Sequence, residues 1–465
     1  MKRTSSMHNV PRGEGDINLS SLRTSWQEDT LSEDSYDLLR RDEEAFLHQS
    51  LSTPCLNVIE RAEGPFLIDQ DGRRTYDFHG NAVHQVGYGH PEVVKAVQEQ
   101  LVQLPFSPRR YTNEQAVTLA ERLLEIAPTP LSKVLFAPGA TSAVGMALKL
   151  ARIATGRHKT MSMWESFHGA SLDALSVGGE AHFRRQIGPL LPGAIHIPPL
   201  STYRPLWEGA SLDDRQLAAY IEYTMEQDGE IGAFIMEPIR NTDVQLPSQA
   251  FMNKLRELCT KHGVQLIFDE TATAFGRTGK WFAFQHYDVV PDMVIIGKGL
   301  GGGVFPMAGL LAADNLNVAT DTSIGHYTHE KSPVGAAASL AMIHVIQQEQ
   351  LLEKTATLSQ LMREQLESLA SRYEQIGDCR IIGLLCGVEL VTDRNTKEKA
   401  TNLAERVLYN CLSRGLSFKL SKGNVLQLCP PLTITKEQLL EALNLLELAL
   451  QDEIEKETDS DASYT

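Results

Sequence analysis

Two short, largely apolar runs constrain this chain most: Gly263 to Phe268, ending in Asp269-Glu270, and Met293 to Ile296, followed by Gly297-Lys298-Gly299-Leu300-Gly301-Gly302-Gly303. Each is sharply bounded and too short for an ordinary helix, so each reads as a strand buried on both faces of a parallel sheet. From about residue 90 to 335 such runs alternate with amphipathic patterns like Pro91 to Val97, which makes the chain α/β, with a mostly parallel sheet flanked by helices. A length of 465 residues exceeds one simple core. The expected division is a poorly ordered extension over 1–30, the N-terminal part of a small domain over 31–89, a large domain over 90–335, the C-terminal part of the small α+β domain over 336–451, and a solvated acidic tail over 452–465.

The strand ends carry chemistry. Lys298 at the mouth of a buried strand is poorly solvated, which favours the free amine that condenses with an aldehyde; the competing reading is a solvated turn lysine. Asp269 is delivered to the carboxyl edge of the sheet, where a carboxylate either caps the next segment or accepts a hydrogen bond from a protonated ring nitrogen. In Val134 to Arg152 a strand, a tight turn and an apolar helical pattern follow one another. Its helix start, at Gly139-Ala140-Thr141, is either an ordinary cap or an anion site built from unpaired amides and the dipole end.

The run Asp269-Glu270-Thr271-Ala272-Thr273-Ala274-Phe275-Gly276-Arg277-Thr278-Gly279, taken with Lys298-Gly299-Leu300-Gly301-Gly302-Gly303, resembles the class III aminotransferases. Three further motifs appear in family order: Trp164 to Gly169, Ala233 to Ile239, and Gly325 to Pro333. The resemblance runs from about Phe46 to Leu450 and implies pyridoxal 5'-phosphate as cofactor and fold type I, the small domain being built from both chain ends. It implies that Lys298 holds the cofactor, that Asp269 faces the ring nitrogen, and that Gly139, Ala140 and Thr141 receive the phosphate. By the same correspondence Phe167 stacks on the ring, Glu237 lies near it, and Thr328 reaches the phosphate of a second subunit, so that a homodimer shares its active sites.

Departures from the family pattern bear on the reaction. Family members that bind α-amino acids or 4-aminobutyrate carry an arginine for the substrate carboxylate where this chain has Gln427, and the glutamate that pairs with it is replaced by Thr242. Thr271 and Ala272 stand where the family has Val-Gln. Lys331, Arg109 and Arg110 add cations that suit a phospho or phosphono dianion. Asp77 to Pro91, which includes Asn81, together with Pro108 to Tyr111 and Thr328 to Lys331, is most similar to lyases of this family that act on a hydroxylated 2-aminoethylphosphonate. That resemblance implies elimination to phosphonoacetaldehyde and ammonia, an aminophosphonate as substrate, and Asn81, Arg109, Arg110, Lys331 and Gln427 as substrate residues. The alternatives are an ω-aminotransferase taking an amine such as 2-aminoethylphosphonate with a keto-acid acceptor, and a catalytically idle relative.

Composition narrows the partners. A formal charge of −16 without a sizeable basic block argues against nucleic acid, and no apolar run approaches the length of a membrane span. The six cysteines occur singly, without metal-like spacing, and no secretory signal is visible, so a reduced cytoplasmic setting with no metal is expected.

Overall fold

The computed structural model describes residues 20–204 and 214–462. Among them seven strands form the large sheet: β1 (Leu131–Ala137), β2 (Lys159–Met163), β3 (Ala194–Ile197), β4 (Ile231–Met236), β5 (Gln265–Asp269), β6 (Met293–Ile296) and β7 (Ala308–Ala313). Their order is β1-β7-β6-β5-β4-β2-β3. The pairs from β3 to β6 are parallel, while β7 runs antiparallel to both β6 and β1. Every residue of β4, β6 and β7 is buried, as runs without polar alternation require when helices cover both faces.

Register places the chemistry. Asp269 pairs with Ile295, so the end of β5 lies beside the end of β6 and the Lys298 turn that follows it. The helix Ala140–Thr155 starts directly after β1 and ends at Gly156, whose φ of 68° is the left-handed cap that favours glycine. Its buried face is built of small and flexible residues, Ala143, Val144, Met146 and Ala147, which lets it lie close against the sheet.

Both chain ends meet in the smaller unit. Strands Ile59–Glu63, Phe66–Asp69 and Arg74–Asp77 form a sheet completed by Leu416–Ser417, with Tyr76 parallel to Leu416. A second, antiparallel sheet runs Ile376–Ile382, Leu385–Leu390, Val425–Leu428 and Lys419–Ser421.

The structure corrects two expectations at the ends. Within the stretch 1–30, expected to be poorly ordered, Ser21–Thr30 is a helix, and residues 1–19 lie outside the described residues. Ser20 caps that helix by accepting from the Arg23 amide at 3.1 Å, and Trp26 is buried, its ring 6.5 Å from that of Tyr409. Burial of one large aromatic face orders a segment whose composition is otherwise polar. The expected solvated tail from 452 onward instead continues the last helix, Lys436–Ala462. Glu453 accepts from Arg406 Nε at 3.1 Å and from Asn410 Nδ2 at 2.8 Å, while Asp452 and Glu457 pair with Arg414 and Arg406, so the acidic face lies against the basic side chains of helix Thr401–Arg414.

Candidate active site

A cavity of about 1440 Å³ opens at the carboxyl ends of β1, β5 and β6. Lys298, Asp269, Gly139, Ala140, Thr141, Phe167, Glu237, Asn81 and Gln427 all line it, so nine of the residues singled out from sequence converge on one space.

Tight backbone approaches bring these groups together. A side chain at Gly297 would sit 3.0 Å from the Ala140 Cβ and 3.5 Å from Thr271 Cγ2, so glycine lets the lysine turn approach the start of helix Ala140–Thr155 without pushing its neighbours apart. Lys298 itself takes φ 45°, a left-handed conformation that costs a side-chain-bearing residue energy and marks an imposed orientation. Gly169, at φ 119°, lies so near Thr141 that a Cβ there would meet its Oγ1 at 2.3 Å, which ties the Phe167-His168-Gly169 loop to the same helix start.

Asp269 is almost fully buried. His168 Nδ1 donates to its Oδ2 at 2.9 Å, and its Oδ1 accepts from both the amide, at 3.1 Å, and the hydroxyl of Thr271. Burial pushes the carboxyl up, but the bonds from His168 and Thr271 outweigh it and hold Asp269 below the ordinary aspartate value. A buried, ionised carboxylate is thereby fixed at the cavity wall. Glu237 differs: burial raises it, while its oxygens accept from the Phe167 amide at 3.3 Å and the Asn241 amide at 3.0 Å. It organises the loop that carries Phe167, whose ring also lies 4.5 Å from Phe183.

This donor set fits pyridoxal phosphate. An amine and an ionised carboxylate face one cavity, a flat aromatic lies in its wall, and among the described residues no side chain caps the first amides of the 16-residue helix at Gly139. Lys298 would hold the aldehyde, Asp269 the ring nitrogen and Gly139 to Thr141 the phosphate.

Next to Glu237 lie the residues at which the sequence departs from the family it resembles. Gln427, on strand Val425–Leu428, is 2% exposed and donates from Nε2 to the Asn241 carbonyl at 2.5 Å. Thr242 is also in the wall. Arg240 does not stand in for the missing arginine. It forks onto Asp243 at 2.6 and 2.7 Å and reaches Glu165 at 3.1 Å. Burial alone would lower Arg240, but the paired Asp243 outweighs it and keeps the guanidinium charged, while Asp243 is held well below the carboxylate range.

Four expected residues lie elsewhere. Thr328, Arg109, Arg110 and Lys331 are exposed and do not line the cavity of their own chain. They share one edge: Arg109 pairs with Glu330 at 3.0 Å, Asn113 donates to the Lys331 carbonyl at 3.1 Å, and Phe106 contacts His329. Two residues that matter here, His168 and Thr271, carry no assigned role in the sequence. No local pattern links His168 to an aspartate 101 positions away. For Thr271, a hydroxyl two residues after a strand-end carboxylate was a signal available in the sequence.

A sequence model of the family described as Aminotransferase class-III matches residues 48–450. The chain is 51% identical over 454 residues to the (R)-1-hydroxy-2-aminoethylphosphonate ammonia-lyase of Vibrio splendidus, across 94% of this chain and 95% of that protein. It is 34% identical over 412 residues to the alanine/serine racemase of Pyrococcus horikoshii, across 85% and 86% of the two chains. Among solved structures, an omega transaminase from Pseudomonas jessenii in complex with PMP superimposes with a TM-score of 0.85 at 26% identity, covering 90% of this chain and 98% of that one.

Proposed function

This chain belongs to the class III aminotransferase family, and from that premise we propose that it is a pyridoxal phosphate-dependent ammonia-lyase that converts (R)-1-hydroxy-2-aminoethylphosphonate to phosphonoacetaldehyde and ammonia. The observation that carries this reading is the 51% identity to the Vibrio splendidus lyase over nearly the whole of both chains. Site geometry supports it. The position of the family's carboxylate-binding arginine holds a neutral Gln427, and Arg240 nearby is already paired with Asp243 and Glu165, so a keto-acid acceptor has no charged fork to bind there.

Bound pyridoxal phosphate supplies an aldehyde that takes up the substrate amine and a ring that withdraws electrons from the adjacent carbon. Lys298, its amine free, would accept the proton from the amine-bearing carbon and pass it to the departing hydroxyl, which leaves as water. Asp269, held ionised by His168 and Thr271, would keep the ring nitrogen protonated. Water then hydrolyses the released enamine to aldehyde and ammonia, and no second amino acceptor enters.

We further propose a homodimer in which Thr328, with Arg109, Arg110 and Lys331 on the same exposed edge, completes the partner's site; their exposure and their absence from their own cavity support this. A cytoplasmic setting is the accompanying proposal. All six cysteines are free, and no described helix is long and apolar enough to cross a membrane.

The test is to incubate the purified enzyme with the (R)-hydroxylated aminophosphonate and no keto acid. Ammonia and aldehyde should appear in equal amounts. Product formation only when pyruvate or 2-oxoglutarate is present, with matching alanine or glutamate, would establish the transaminase instead.

A further inference from the structure

Gln427 is more than a missing arginine. Its Nε2 lies 2.5 Å from the Asn241 carbonyl, and because a carbonyl oxygen only accepts, that contact fixes which end of the side-chain amide is nitrogen. The other end, Oε1, is therefore an acceptor, and it is buried with no partner among the described residues. Asn241, whose backbone holds Gln427 in place, has a buried Oδ1 that also lacks a partner. Both residues line the cavity. A buried acceptor is normally satisfied, so Gln427 Oε1 calls for a hydrogen-bond donor at this part of the lining.

A carboxylate or a phosphonate dianion brings oxygens that the Gln427 Oε1 dipole repels, so neither the acceptor of a transamination nor the phosphonate of the proposed substrate belongs against that atom. The substrate amine is committed to the Lys298 side of the site. One donor remains on a 1-hydroxy-2-aminophosphonate, its hydroxyl. Resting on the lyase reading above, we propose that Gln427 Oε1, with Asn241 beside it, recognises the substrate hydroxyl and selects hydroxylated aminophosphonates over those that lack the group. The hydroxyl hydrogen goes to Gln427, which leaves the oxygen lone pairs to take the proton delivered by Lys298. A site built to bond a substrate hydroxyl discriminates against the analogue without it, because its own polar group is then left unpaired.

The experiment uses the holoenzyme and measures two constants for each variant: KM for the (R)-hydroxylated substrate in ammonia release, and the inhibition constant of 2-aminoethylphosphonate, which has no hydroxyl. Gln427→Met, similar in length and without the acceptor, should raise the KM about tenfold, the scale of one lost hydrogen bond, and leave the inhibition constant within about twofold. Asn241→Ala keeps the backbone carbonyl that holds Gln427 and should show a smaller change of the same selective kind, which also covers the case in which Gln427→Met fails to fold. Equal weakening of both ligands, or no weakening of either, overturns the assignment. Ammonia release by the parent enzyme without a keto acid is measured first. Its failure brings down the lyase reading and this inference with it, whereas a working lyase with non-selective variants brings down this inference alone.

Discussion

Replacing Thr271 by valine isolates the device that keeps Asp269 charged. The substitution preserves shape and removes one hydroxyl, leaving Asp269 its bonds from His168 Nδ1 and the residue 271 amide. A hydrogen bond to a charged group contributes about 1.5–3 kcal/mol, and the extra buried methyl returns about 0.8 kcal/mol, so the folded cofactor-free protein should lose about 1–2 kcal/mol at pH 7. The lost bond also raises the Asp269 pKa toward its ordinary value, because the hydroxyl of Thr271 favours the charged form. The sign of the pH dependence follows from the direction of the native shift. Asp269 lies below its ordinary value of 3.8 when folded, so its charged bonds stabilise the protein fully above that value and cease to do so as the pH falls through the depressed one. Urea unfolding midpoints of parent and Thr271→Val should therefore differ at pH 7 and converge in acid, once the carboxyl is protonated in both. Identical midpoints at pH 7, or a gap that persists in acid, would refute the view that Thr271 acts through the charge on Asp269.

Two other substitutions test the site assignment. Lys298→Ala should abolish ammonia release and remove the peptide that borohydride reduction otherwise labels with cofactor; label on another lysine would displace Lys298 from the role its place in the cavity implies. Mixed chains carrying Lys298→Ala and Thr328→Ala should form a hybrid with one intact site and recover activity that neither variant shows alone, and a mixture as inactive as its parts would dissociate Thr328 from a partner's site.

What the sequence alone determined is what sits on single elements. Asp269 and Lys298 were legible because a short buried strand announces itself by its unbroken apolar run, and the residue just past its end is delivered to the sheet edge whatever else the chain does. Gly139 to Thr141 were legible for the same reason, as a strand, turn and helix contiguous in sequence. Tertiary structure decided whatever needs two distant segments in contact. The bond from His168 to Asp269 joins residues 101 positions apart, and that from Gln427 to Asn241 joins residues 186 apart, so neither leaves a local pattern to read. Arg109, Arg110 and Lys331 were grouped with the substrate by charge, but charge does not say which way a surface loop faces, and in the fold they lie outside their own cavity. Order at the two ends was decided in the same way. Ser21–Thr30 is mostly polar and is held where Trp26 finds Tyr409, and the acidic helix past residue 451 is held where Glu453 finds Arg406. Composition predicts how a segment behaves in water, and only the fold supplies the surface that takes it out of water.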